Sequence, residues 1–387
     1  MTKRAAFIIA IFALSLGLSA WCGSGALAQL PPEEGVKVRE LPLAGPHWVF
    51  VMNPFSGTLQ VTSVFAVDGD ALQVLGQMTG GITSAFAVSP DHTQFYMADT
   101  YYSRGARGDR TDVLTIYDAR HLAPVGEVIL PTKRQLSIPD SSEMTVTPDG
   151  RFVLVANLTP ATSVSVVDVQ NRSVAGEIET SGCAEVLIAG ARRFVSVCSD
   201  GTMLTTEFGD DGKATAQKRT AKPFFDIEKD PVFGVPARVG DDAYFVSYRG
   251  MVYPMGLGAT PAEPGEPWPL LSDKEKSAGS LPGGYQPIWA NAAKGLLFVL
   301  MHQGGGDWTH KNPGTEVWVY DVKAKKRIDR IKLPQQGNSI LVSQDDAPTL
   351  YVLSVTPAIM QAFNALDGRY LGTMSGLSGV PWEMFGL

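Results

Sequence analysis

An all-β fold, a seven-bladed β-propeller of four-stranded antiparallel sheets, is predicted from three observations. The stretch from Met144 to Thr180, MTVTPDGRFVLVANLTPATSVSVVDVQNRSVAGEIET, holds four strand-length runs rich in Val, Ile, Phe and Thr, divided by Pro-Asp-Gly, Leu-Thr-Pro-Ala-Thr and Gln-Asn-Arg. β-Branched residues pack well on a pleated surface and the Asp-Gly and Asn-rich breaks supply turn angles, so the unit reads as an antiparallel meander. Its middle runs are apolar at nearly every position, which calls for cover on both faces, and a lone sheet would leave that surface wet. The third observation is that similar units recur along the chain.

Taken in order, the first module opens with WVFVMNP at Trp48 to Pro54 and continues with SVFAVDGDALQVLGQM at Ser63 to Met78, a hairpin around Asp68-Gly69. The second, from Ser84, reads SAFAVSPDHTQFYMAD, then a long excursion, then DVLTIYDARHLAPVGEVIL, with Ser-Pro-Asp-His where the third has Thr-Pro-Asp-Gly. Both carry a Val/Ile-x-Asp strand end, a turn, and a strand ending in Gly-Glu-Val/Ile. The fourth runs from Ala184 to Thr220 and the fifth, weaker in pattern, from Pro236 to Gly258. The sixth is QPIWANAAKGLLFVLMHQ followed by VWVYDVKAKKRIDRIKL, and the seventh spans Asn338 to Met374. These are seven repeats of about fifty residues each. A last strand, VPWEMFGL, is left over or completes the closure. Radial repetition of small sheets removes exposed edges by closing a ring. An open solenoid is the structural alternative, but it needs polar capping repeats that the chain does not display. The one helical signal is SDKEKS at Ser272 to Ser277, with Ser272 as its cap.

The first 28 residues differ from the rest. Lys3 and Arg4 precede an uncharged apolar run from Ala5 to Trp21, and Ala26-Leu27-Ala28 forms a small-residue cleavage pattern. This predicts a signal peptide at 1–28, with an uncleaved anchor as the alternative. A polar arm at 29–46 then leads into the propeller at 47–387. Processing removes two of 32 basic residues and none of 39 acidic ones, leaving 30 against 39, a net charge of −9. No basic stripe compensates, so nucleic acid is excluded as a partner, and no membrane association is expected after processing. Cys22 is lost with the leader. Cys183 and Cys198 remain and read as a disulfide in an oxidising compartment, closing a loop that contributes roughly 3 kcal/mol; two buried thiols are the alternative.

Function in a propeller sits on departures from the repeat. One is DTYYSRGARGDRTD, Asp99 to Asp112, where Tyr102, Arg104, Arg107 and Arg110 have the character of interface anchors. The competing reading is a solvated loop with its arginines paired to Asp99, Asp109 and Asp112. A second is MHQGGGDWTHKNPGTE, Met301 to Glu316. There His302 and His310 with Asp307 have metal-ligand chemistry but not the spacing of a metal motif, so partner contact is favoured and no metal is expected. The third, Pro254 to Tyr285 with Trp268, reads as a long surface loop. No nucleophile elbow, His-Glu-x-x-His or phosphate loop is present, and the chain does not read as a self-sufficient enzyme.

At these loops the sequence resembles the heavy subunit of the quinoprotein amine dehydrogenases, the methylamine and aromatic amine dehydrogenases, with the aromatic amine branch somewhat nearer. The resemblance spans the mature chain and rests on SRGARGDRTDVLTIYDA at Ser103 to Ala119, LTPATSVSVVDV at Leu158 to Val169, the Cys183 and Cys198 pair, FVSYRGMVY at Phe245 to Tyr253, LPGGYQ at Leu281 to Gln286, and the His302 to Lys311 loop followed by EVWVYDVKAKKRI. It implies a periplasmic heterotetramer of two heavy and two light chains. The light chain would carry tryptophan tryptophylquinone, oxidise a primary amine and pass electrons to a blue copper protein of the azurin or amicyanin type. This chain would carry no cofactor and be inactive alone. Phe55 would line the substrate channel, and Tyr102, Arg104, Arg107, Arg110, His302 and His310 would meet the light chain. Two further classes stand beside this reading: an exported propeller that binds a protein or carbohydrate, and a single-chain lactonase-like enzyme with a metal in its channel.

Overall fold

A computed structural model of the chain describes residues 40–55, 61–137 and 139–387. The expected signal peptide at 1–28 and the arm as far as residue 39 lie outside the described residues. Among the latter, no helix is long and apolar enough to cross a membrane.

The described chain forms seven antiparallel sheets. Blade 3, the regular unit, consists of Met144–Val146, Phe152–Asn157, Ser163–Asp168 and Ser173–Glu179. Its two middle strands are buried at every residue, as their unbroken apolar character requires. Blades 2, 4 and 7 follow the same four-strand order, each running from an inner to an outer strand. The leftover terminus resolves as closure: Glu383–Phe385 pairs antiparallel with Trp48–Asn53 and becomes the inner strand of blade 1. The ring is thus fastened by joining its two ends in one sheet.

Seven apolar clusters lie between successive blades, and side-chain alternation builds them. In Trp48–Asn53, Val49 and Val51 face blade 7 beside Tyr351 and Leu353. Trp48, Phe50 and Met52 face blade 2 beside Phe86 and Phe95. The strand is apolar throughout because each face belongs to a different interface.

A second device recurs at the junction of the third and fourth strands. Asp68, Asp118, Asp168 and Asp321 each accept backbone N–H groups two or three residues on, and Asn364 does the same in blade 7. The turn ends in a left-handed residue, Leu72, Leu122, Arg172 or Lys325, with Gly368 at the matching place. Four residues beyond, the returning strand carries Gly76, Gly126, Gly176 or Gly372. A Cβ at Gly76 would lie 2.5 Å from Leu122 of blade 2, and one at Gly176 would lie 2.5 Å from the Gly212 carbonyl of blade 4. The turn of one blade thus seats on the glycine of the blade before it, and the repeated Gly-Glu-Val/Ile of the sequence is the socket of that joint.

Two expectations need correction. Asp99 to Asp112 is not a loop but an extension of the blade, because Gln94–Arg104 and Arg107–Asp118 pair almost to the Gly105-Ala106 tip. Pro254 to Tyr285 is not a surface excursion. It supplies Glu263–Pro264 and Trp268–Pro269, two short strands that share the outer place in blade 5. Trp268 is buried against Tyr320 in the interface with blade 6. The helix occurs at Asp273–Ser277, and Glu275 returns to the Ser272 N–H at its start.

Candidate functional site

Strand direction gathers the chain's irregular features onto one face. Neighbouring strands within a blade are antiparallel, so the hairpin between the second and third strands turns on the face where the inner strand begins. That face carries Phe55 from blade 1, the Arg104–Arg107 tip from blade 2, the Cys183–Cys198 disulfide of blade 4, and the residue 303–313 loop of blade 6.

Three aromatic rings stand at the entry of the closing strand. Phe55 meets Trp382 edge-on at 6.2 Å, and Trp382 stacks on Tyr285 at 3.7 Å. The backbone around them is fixed from several sides. Asn53 accepts N–H groups from Phe55 and Val380. The Gln286 amide bonds both the N–H and the carbonyl of Met384, at 2.9 and 2.8 Å. The Ser339 hydroxyl donates to the Trp382 carbonyl at 2.6 Å. Gly284, at a φ of +135°, lets the Leu281 to Gln286 segment pass where a Cβ would strike the Asn338 carbonyl.

Four carboxylic acids meet beside these rings: Asp140 and Glu143 ahead of the inner strand of blade 3, Glu185 early in that of blade 4, and Glu383 at the start of that of blade 1. The Ser141 N–H donates to Glu383 Oε1 at 2.9 Å. Blade 2 lies between blades 1 and 3 in the ring, so this bond passes inside the inner strand of blade 2. Glu143 Oε1 accepts from Ser137 and Gln135. Among the described residues, the second oxygens of Glu143, Glu185 and Glu383 find no hydrogen-bond donor. Burial and the neighbouring Asp140 push Glu143 up to about 8 and raise Glu185 and Glu383 well above the ordinary carboxyl range. Glu185 also holds a left-handed φ of 69°, a conformation that a non-glycine residue adopts only where its surroundings enforce it.

The residues singled out in the sequence do not form one cluster. Arg104 and Arg107 are exposed at the hairpin tip, and Tyr102 is half-buried below them. Arg110 pairs with Asp112 and donates to the Arg134 carbonyl, so it serves the fold. Across the ring, His302 is buried beneath Gly283 and Gly305. His310 stacks on Tyr248 at 4.1 Å, with planes 3° apart, and burial lowers the proton affinity of both histidines. Asp307 is paired with Arg249. Among the described residues, no three His, Cys, Asp or Glu side chains are placed to hold a metal. His310 borders a cleft of about 680 Å³ between blades 5 and 6, beside the fully displayed Trp308. Sequence reasoning missed Trp382, Tyr285 and the four acids. The available signal was a lone carboxylate inside an apolar inner strand, as in CAEVLIAG and VPWEMFGL.

A family model described as methylamine dehydrogenase heavy chain (MADH) matches residues 46–384. The methylamine dehydrogenase heavy chain of Methylophilus methylotrophus is 29% identical over 366 residues, covering 94% of this chain and 88% of its own. That of Methylorubrum extorquens is 30% identical over 336 residues, covering 86% and 81%. Among solved structures, dihydro-heme d1 dehydrogenase NirN in complex with DHE aligns with a TM-score of 0.56 at 15% identity, covering 92% of this chain and 78% of that one. A functionally unknown protein from Desulfotomaculum acetoxidans aligns at 0.58 with 12% identity, covering 88% and 98%. At such identities these two share the fold and nothing more.

Proposed function

The chain belongs to the methylamine dehydrogenase heavy chain family, and we propose that it is the heavy subunit of a periplasmic amine dehydrogenase. It joins a light chain in a heterotetramer of two heavy and two light subunits. The observation that carries this reading is the family match over 46–384, which takes in all seven blades and reaches into the closing strand. The mouth with Phe55, Trp382 and Tyr285 supports it, because a preformed aromatic rim suits the burial of a partner surface or a substrate body.

In this reading the light chain holds tryptophan tryptophylquinone, which supplies the carbonyl electrophile and the electron sink for oxidation of a primary amine. This chain contributes shape. Phe55, held between Asn53 and Trp382, walls one side of the substrate path. Tyr102, Arg104, Arg107 and His310 offer polar and aromatic contacts on the same face. Electrons then pass to a blue copper protein of the azurin or amicyanin type.

The test is production of the full chain alone and together with the small quinone-bearing subunit from its host. Alone, the chain is expected to fold, show no quinone absorbance and reduce no dye in the presence of amine. The complex is expected to do both. Turnover by this chain alone, or failure of any such subunit to associate with it, removes the proposal. Comparing kcat/KM for methylamine and for an arylalkylamine decides the branch, with the arylalkylamine expected to be preferred.

A further inference from the structure

The acids gathered at the inner strands of blades 1, 3 and 4 are in a state that calls for a ligand. Glu383 and Glu143 are only 2% and 3% exposed, and among the described residues each keeps a carboxyl oxygen without a hydrogen bond. Burying such an oxygen unmatched is costly whether the group is charged or neutral. The other two acids are close by: a Cβ at Gly234 would lie 2.6 Å from Glu185 Oε1 and 3.8 Å from Asp140 Oδ2. Arg134 acts on Glu143 through its charge, but its guanidinium N–H groups are spent on the carbonyls of Ile82 and Thr83 and on the Thr100 hydroxyl, and among the described residues it forms no ion pair with the four acids.

A cation with N–H donors answers each part of this description. A bare metal ion is disfavoured, since no three of these groups are placed to coordinate one. An ammonium group makes longer, directional hydrogen bonds and brings an apolar body with it. Trp382, the residue before Glu383, stacks on Tyr285 at the same mouth and offers that body a wall.

We propose that Asp140, Glu143, Glu185 and Glu383 form a docking site for a primary alkylammonium ion on the heavy chain, where a protonated amine is captured before it reacts. The inference rests on the amine dehydrogenase reading for its ligand class and adds a site and residues to it. Because the raised carboxyls hold protons in the empty site, binding of the cation expels them, and affinity rises with pH until the amine itself loses its charge.

The test is titration of the full chain with n-butylammonium chloride by calorimetry, at pH 6 and pH 8 and in two buffers of different ionisation enthalpy. Binding is expected at both pH values, at least tenfold tighter at pH 8, with a buffer-dependent heat that reports proton release. n-Butanol, which lacks the charge, is expected not to bind, and calcium chloride is expected not to displace the amine. Glu383→Gln is expected to weaken binding at least tenfold. Asp140→Asn and Glu185→Gln, at partly exposed positions, give the same reading if the buried substitution unfolds the chain. Asp346→Asn, on a turn of the opposite face, is the unaffected control. No binding, equal binding of butanol, displacement by calcium, or an unchanged affinity in folded variants overturns the proposal. Binding to a chain whose complex oxidises no amine would leave the site standing and sink the enzyme reading. A working complex whose KM for amine is unmoved by Asp140→Asn would do the reverse.

Discussion

On the face where the third and fourth strands of each blade join, the turn aspartates are met by donors: the His121 ring and backbone N–H groups bind Asp118, and Asn171 and Arg151 outweigh the burial of Asp168, which holds both acids below the ordinary carboxyl range. On the opposite face, Glu143 and Glu383 are buried, each with an oxygen that meets no donor among the described residues, and are pushed above it. The first set repeats in full in blades 1, 2 and 3, with one turn, one left-handed residue and one socket glycine each. The second occurs once and draws its members from blades 1, 3 and 4. Repetition marks what closes the ring, and each repeated acid lowers the free energy of a turn. The singular acids raise the free energy of the empty protein, a cost expected at a binding site rather than in a scaffold.

The sharpest way to break this comparison is on the mouth face, at the disulfide, which is structural despite its position. Cys183 and Cys198 sit directly opposite in neighbouring strands and close a loop with a separation of 15 residues. Replacing both with Ala is expected to cost roughly 3 kcal/mol in urea unfolding. A cost below a third of that would mean that the strand pairing alone holds this edge of the mouth.

Next in size is the pH response of Glu143, which is faced by Asp140, Arg134 and Glu383. Its carboxyl titrates near 4.5 when unfolded and at about 8 when folded. Between those values the folded protein holds a proton that the unfolded chain releases, so stability is greatest below the window and falls as pH rises through it. From pH 6 to 9 the loss from this group is on the order of 2 kcal/mol. Glu143→Gln keeps the Ser137 and Gln135 contacts available and cannot ionise. Its melting temperature should fall less over that range and exceed that of the parent at pH 9. Parallel melting curves would place Glu143 with the scaffold acids.

On the scaffold face, Gly176→Ala puts a methyl group against the Gly212 carbonyl of the next blade, backbone that cannot swing away. The expected cost is about 1.5 kcal/mol. The same change at Gly76 meets only the end of the Leu122 side chain and should cost less. Equal costs would show that the joint between blades is looser than its geometry.

What could be read in the sequence follows the same division. Blades 2, 3, 6 and 7 were legible because alternate faces of one strand serve two interfaces, which writes an apolar run of fixed length between fixed turns. Blade 5 was faint because its outer place is split between Glu263–Pro264 and Trp268–Pro269, neither long enough to leave a periodic trace. Trp268 was misplaced for the same reason. Phe55 was found through resemblance, but its partners Trp382 and Tyr285 lie far along the chain, and no spacing rule joins residues that meet only when the ring closes. The four acids share that difficulty, because the Ser141 to Glu383 bond exists only after the C-terminal strand has returned to blade 1 and come within reach of blade 3.

The smallest expected effect on stability is also the most specific test of the mouth face as an interface. Arg104 and Arg107 face each other across the hairpin tip, exposed, and among the described residues neither forms an ion pair. Their side chains therefore contribute little to the fold, and the Arg104→Ala, Arg107→Ala double variant should unfold within about 0.5 kcal/mol of the parent. Arg110, three residues on, is the internal contrast. It pairs with buried Asp112, so Arg110→Ala leaves that carboxylate short of a partner and should be the more destabilising change. If the tip anchors a light chain, the double variant should associate with it more weakly, with a gap that narrows as salt is raised, because exposed charges act through a screened field. Unchanged association at low salt would confine the interface to the aromatic rim and leave the tip as solvent-facing hairpin.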